Sequence, residues 1–174
     1  MATASADTAD SAQSAGILQG DWQVTHVLLT DSQSSPGAYQ EDDARLMGSV
    51  LRVQADALQF DKTNHGCTLH PVPGPKTHNM RALFAKSAPG TRRPSGLVGT
   101  LVGRMDDYAL GPLKRQPVRL FQMVCNNAAN PLLPEANWLA LTNLTPLAAP
   151  ALLMPYQPGT LLLLRRTPRA QTDK

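Results

Sequence analysis

Two cysteines, four histidines and thirteen side-chain carboxylates set the chemistry open to this 174-residue chain. The densest group is His65-Gly66-Cys67-Thr68-Leu69-His70, followed by His78. Imidazole and thiolate are good ligands for zinc or copper. The spacing is not that of a closed metal site, because on a strand His65, Cys67 and Leu69 share one face while His70 lies on the other. A Cys67–histidine nucleophile oriented by Asp61 can be drawn on paper. Nothing places Cys67 at a helix N-terminus or in a cysteine-enzyme motif that would hold its thiol as thiolate. The chain has no Gly-x-Ser-x-Gly elbow, phosphate loop or His-Glu-x-x-His sequence, and Asp106 and Asp107 are adjacent, so in a strand they point apart. The expectation is a protein that is not an enzyme, with no metal and no cofactor.

Cys67 and Cys125 each fall inside or beside an expected strand. An even count this small in an exported chain reads as one disulfide. Closing that loop would stabilise the fold by about 4 kcal/mol on the chain-entropy argument. In a cytosolic chain the same two residues would be separate buried thiols. Asn143-Leu144-Thr145 matches a glycosylation acceptor, but Pro146 follows directly and chance accounts for it.

These residues need a scaffold, and composition limits which. A chain of this length fits one domain that can bury roughly 70% of its unfolded surface. A 42% hydrophobic and 17% charged composition excludes wholesale disorder, while 15 prolines and 12 glycines argue against a helical bundle. No apolar run reaches the roughly 18–20 residues of a transmembrane helix. Residues 1–16 are small, polar and acidic and read as a disordered tail without the pattern of a signal peptide. Such a segment suits the tether left after a signal is removed, so the expected location is the periplasm or cell envelope. A single domain is expected over 17–168, with a short tail at 169–174.

Trp22, Val24 and His26 alternate as one face of a first strand. Ser34-Ser35-Pro36-Gly37 ends it, and Tyr39 to Met47, with acids early and Arg45 late, fits a short helix ending at Gly48. Val50, Leu51, Val53 and then Leu58, Phe60 form two strands around a turn at Gln54 to Ala57. Prolines 71, 73, 75, 89 and 94 exclude long strands between His70 and Gly111, leaving strands near Met80 to Lys86 and Leu97 to Gly103. Strands follow at Pro117 to Cys125, Trp138 to Thr142, Ala151 to Met154 and Thr160 to Arg166. The run Leu161 to Leu164 is a strand buried on both faces. The fold class is mainly β: an antiparallel barrel, or alternatively a sandwich, with one short helix and proline-rich loops.

Gly20-Asp21-Trp22 heads the first strand, and Arg165 and Arg166 end the last. This resembles the lipocalin and broader calycin pattern, which opens with Gly-x-Trp and sets a late basic residue across the tryptophan at the closed end of an eight-stranded barrel. The resemblance covers the two chain ends and not the middle. It implies that Gly20, Trp22, Arg165 and Arg166 close the barrel, with cation–π attraction between guanidinium and indole.

Charge is divided along the chain: nine acidic and two basic residues through Asp61, then fourteen basic and four acidic from Lys62 onward. Dispersed arginines and 5% aromatic content give no base-stacking platform, which argues against nucleic acid. Two functions remain. The first is an inhibitor or immunity protein that neutralises another protein, such as a basic toxin or a hydrolase, through Tyr39, Glu41, Asp42, Asp43 and His78, with Pro71 to His78 as a stiff loop. The second is a lipocalin-like carrier of a small apolar ligand lined by Val24, Leu120 and Phe121.

Overall fold

A computed structural model describes residues 16–29, 39–55, 57–62, 66–71, 78–80, 108–125, 138–142, 149–157 and 159–168. Nine strands form one antiparallel sheet: β1 (Gly20–Leu29), β2 (Val50–Gln54), β3 (Ala57–Phe60), β4 (Gly66–Pro71), β5 (His78–Asn79), β6 (Pro117–Cys125), β7 (Trp138–Thr142), β8 (Ala151–Gln157) and β9 (Thr160–Arg166). The order is β4-β3-β2-β1-β9-β8-β7-β6-β5, and β4 also pairs with β6. That second pairing joins the two sides of the sheet, so eight strands form a hydrogen-bonded circuit and the sheet is a barrel. Closure removes the unpaired edges that an open sheet would present. The long strand β6 makes this possible: its first residues pair with β5 and Phe121 to Cys125 pair with β4.

Alternation along the strands sorts apolar side chains into two clusters. The first holds Trp22, Val24 and Val27 of β1, Leu51 and Val53 of β2, Leu58 and Phe60 of β3, Cys67 of β4, Phe121 of β6, Leu139 and Leu141 of β7, Leu152, Met154 and Tyr156 of β8, and Leu162 and Leu164 of β9. These inward residues are the core of the barrel. The second holds the intervening residues of one side only: Leu28, Val118, Leu120, Ala140, Ala151, Leu153, Leu161 and Leu163, packed with Met80, Tyr108, Leu110 and Leu113. The short 3-10 helix Gly111–Arg115 carries Leu113 into this outer layer. Strands covered on both faces read as continuous apolar runs, which is why β9 contains four consecutive leucines. Strands β2 and β3 instead alternate buried with exposed and bury one face.

Four expectations change. Tyr39 to Met47 is a succession of turns and not a helix. Only one contact in it, Met47 N–H to the Asp43 carbonyl at 2.9 Å, has helical spacing. In β1 the register shifts between Val24 and His26, leaving Thr25 as an extra residue. A bulge reverses the alternation beyond it, so His26 faces out and Val27 takes the inward place. Leu120 packs in the outer layer, and its neighbour Phe121 points into the barrel. Strand β8 runs past Met154 to Gln157, with the register shift at Pro155/Gln157 accommodating a residue that has no N–H to donate. Met80 itself follows β5, and the rest of the strand expected near Met80 to Lys86 lies outside the described residues. The expected strand at Leu97 to Gly103 lies outside the described residues.

Candidate functional site

One end of the barrel is organised around Trp22, which is fully buried. Gly20 precedes it with φ +129°, a conformation that side-chain-bearing residues rarely adopt. The turn at residues 16–19 folds back under the barrel and buries Leu18, whose carbonyl accepts the Trp22 Nε1–H at 2.7 Å. The Arg166 guanidinium carbon sits 4.8 Å from the indole centroid, and its Nη2 donates to the Ile17 carbonyl at 2.5 Å. Arg165 points to the other face of β9 and donates to the Ala149 carbonyl at 2.6 Å. Gly20, Trp22 and Arg166 therefore meet, and Arg165 stands apart. This arrangement caps an end of the core; its groups hold one another and present no nucleophile or base.

Toward the opposite end, residues 39–49 run beside the second half of β1. Val24 N–H donates to the Ser49 carbonyl, and Gly48 N–H donates back to the Val24 carbonyl. Asp42 fastens the middle of the segment. Its backbone N–H donates to the Val27 carbonyl at 3.1 Å, and its Oδ1 accepts the Val27 N–H at 3.0 Å. The same carboxylate lies 3.3 Å from His26 Nδ1, with both side chains about half exposed. Asp42 takes φ +49°, a left-handed conformation that Asp tolerates better than most residues.

Asp43 is buried, at 8% exposure, and does not join Glu41 and Asp42 in an outward patch. Its carboxylate accepts from Gln40 N–H at 3.0 Å, Arg45 N–H at 2.9 Å, Arg45 Nε at 2.9 Å and Arg45 Nη2 at 2.7 Å. The Arg45 guanidinium, followed by the backbone donors, holds the Asp43 carboxyl well below the usual carboxylate range. The same contact raises the Arg45 side chain above its ordinary value. With no helix to set the three acids on one end, Glu41 and the outer side of Asp42 remain as the exposed negative groups.

Arg45 also stacks on Tyr39, 4.6 Å from the ring centroid. Tyr39 meets Tyr156 edge-on at 5.5 Å, and Tyr156 meets Phe60 at 5.8 Å. The Tyr39 hydroxyl lies 3.5 Å from the Tyr156 hydroxyl, at the outer limit of a hydrogen bond. Burial, then the neighbouring Tyr39, pushes the Tyr156 phenol well above its usual range. The order of contact is thus Asp43, Arg45, Tyr39, Tyr156, Phe60, from the segment into the core. Period-two reading had no means of finding Tyr156, which lies at the register shift between Pro155 and Gln157 in β8. The Asp43–Arg45 turn did carry a local signal, an Asp placed to accept the N–H two residues on.

His78 pairs through its backbone with Val118, in the row that continues through Thr142 and Ala151 to Arg165. It therefore sits toward the Trp22–Arg166 end, away from Asp42, which is fastened beside Val27. The backbone position of His78 is thus separate from that of the 39–43 segment. His65 and the loop 72–77 lie outside the described residues. Among the described residues no three His, Cys, Asp or Glu side chains gather as a metal group. Cys67 is buried and is not a free thiol, and its register partner across the β4–β6 seam is Cys125. Among the described residues no helix is long and apolar enough to cross a membrane.

No protein-family model matches the chain, nor does any curated protein or solved structure.

Proposed function

We propose that this chain is a non-enzymatic, exported binding protein that inhibits or neutralises another protein in the cell envelope. The observation that carries this reading is the filled interior. Trp22, Leu51, Phe60, Phe121, Leu139, Leu152, Leu162 and Leu164 point into the barrel and are at most 1% exposed. A barrel occupied by its own side chains leaves its rim and outer surface for recognition. The Arg45-clamped segment supports the same reading, because a surface held by hydrogen bonds in the free protein loses little freedom on docking. Glu41 and Asp42 on that segment favour a basic partner.

A disulfide between Cys67 and Cys125 belongs to this reading and is supported by their direct register and by the bonded state of Cys67. The Arg166–Trp22 contact, following Gly20, favours kinship with lipocalins. A carrier of a small apolar ligand is accordingly the second reading. Val24 and Phe121 line the interior as a carrier would require, but they do so within a continuous core.

One experiment separates the two. Tagged, unreduced protein is incubated with the envelope fraction of its source, and bound protein and solvent-extractable small molecules are both identified. A basic protein retained near stoichiometry, and lost with Glu41→Lys, supports inhibition. A stoichiometric lipid in the organic extract, unaffected by Glu41→Lys, would overturn it in favour of the carrier.

A further inference from the structure

The two sides of the barrel are built differently. Strands β6, β7, β8 and β9, together with Leu28 of β1, contribute to both the inner core and the outer apolar layer. Among the described side chains, those of β2 and β3 that are buried belong to the inner core alone, as does Cys67 of β4. The outward residues of β2 and β3 include exposed Arg52, Gln54, Ala57 and Gln59. Stability within one fold follows local burial, so the single-layered arm should open at lower free energy than the double-layered body.

The arm is held along two lines. On one, β2 pairs with β1 through Gly20 to Gln23; on the other, β4 pairs with β6 from Cys67↔Cys125 to Pro71↔Phe121. The cysteine pair is the last register position of that seam, at the C-terminal end of β6. We propose that the β4–β6 seam is a redox latch, in which the Cys67–Cys125 bridge keeps the β2–β4 arm closed on an otherwise self-sufficient body. The inference rests on the bridge proposed above. An external dithiol cleaves it by thiol–disulfide exchange: two electrons and two protons pass to the chain, leaving two thiols, and the dithiol closes to its own disulfide. The released seam keeps its backbone pairing. It then opens between β4 and β6, turning about the β1–β2 pairing and exposing the inner faces of Leu58 and Phe60.

Hydrogen exchange of the full chain, oxidised and after treatment with a dithiol, tests this. Thiol titration of the unfolded, unreduced protein comes first, and two reactive thiols per chain would remove the bridge and the latch together. With the bridge present, reduction should lower protection of amides in β3, β4 and residues 121–125 by about tenfold or more, with β8 and β9 changed by less than about twofold. Buried Trp22 should keep its fluorescence. Uniform loss over all strands would overturn the latch, because the body would then depend on the bridge. Unchanged protection at the seam would overturn it equally while leaving the disulfide intact. Cys67→Ser with Cys125→Ser should reproduce the reduced pattern without added dithiol.

Discussion

Replacing Trp22 by Ala removes an indole that no solvent reaches, its hydrogen bond to the Leu18 carbonyl and the surface under Arg166. Loss of a large buried aromatic costs about 3–5 kcal/mol through transfer and cavity terms. The orphaned carbonyl of buried Leu18 adds about 1–3 kcal/mol unless water reaches it. The stacked, solvent-exposed guanidinium contributes about 0.5–1 kcal/mol. Since a domain of this kind is stable by about 5–15 kcal/mol in total, Trp22→Ala should remove a third or more of the margin. Trp22→Phe separates the contributions, because it keeps most of the packing and abolishes the N–H donor. It should cost about 1–3 kcal/mol. Urea unfolding followed by far-ultraviolet circular dichroism measures both, and a cycle with Arg166→Gln isolates the stacking. A loss below about 1 kcal/mol for Trp22→Ala would refute the assignment of this end as the cap of the core.

Leu152 faces the inner core and Leu153 the outer layer, and both are fully buried; each change to Ala should cost about 2–5 kcal/mol in urea unfolding, and a negligible loss for Leu153 would show the outer layer to be unformed. Ala55 takes φ +51° in the tight connection between β2 and β3. Ala55→Gly should therefore stabilise by about 0.5–1 kcal/mol, read as a rise in Tm, and a fall would contradict the left-handed turn. The Asp43 carboxyl is held below its unfolded value, so its stabilisation is complete above the ordinary Asp range near pH ~4 and is lost as pH falls through the lowered folded value. The stability gap between the natural chain and Asp43→Asn should narrow in acid, and a gap that widens would contradict the Arg45 clamp. Glu41→Lys should slow association with an isolated basic partner, most strongly at low salt, and an unchanged rate there would remove the acidic rim from recognition.

Much of the strand layout was legible because period-two alternation is a direct consequence of burying one sheet face. Strands β2 and β3 show it cleanly, and the four leucines of β9 betray burial on both faces. The reading failed where one residue resets the period. The bulge at Thr25 turns His26 outward, and at β6 the choice between Leu120 and Phe121 could not be made when both faces are apolar. The segment 39–49 failed for another reason. Acids before a basic residue fit a helix dipole, but an Asp that accepts the N–H two residues later stabilises a turn in its place. Gly20, Trp22 and Arg166 were recognisable as a set because they rest on residue types with few alternatives, a positive φ and a large flat ring. The contacts of Tyr156 and the inward turn of Asp43 depend on register between distant strands and carry no short-range mark.

The central claim is that the barrel is filled by its own core and binds on its outside. Native mass spectrometry of the unreduced protein, purified from its own source without detergent, tests it most directly. The claim predicts the mass of the polypeptide alone, or of the polypeptide with a second protein. A one-to-one apolar adduct that organic extraction removes would contradict it.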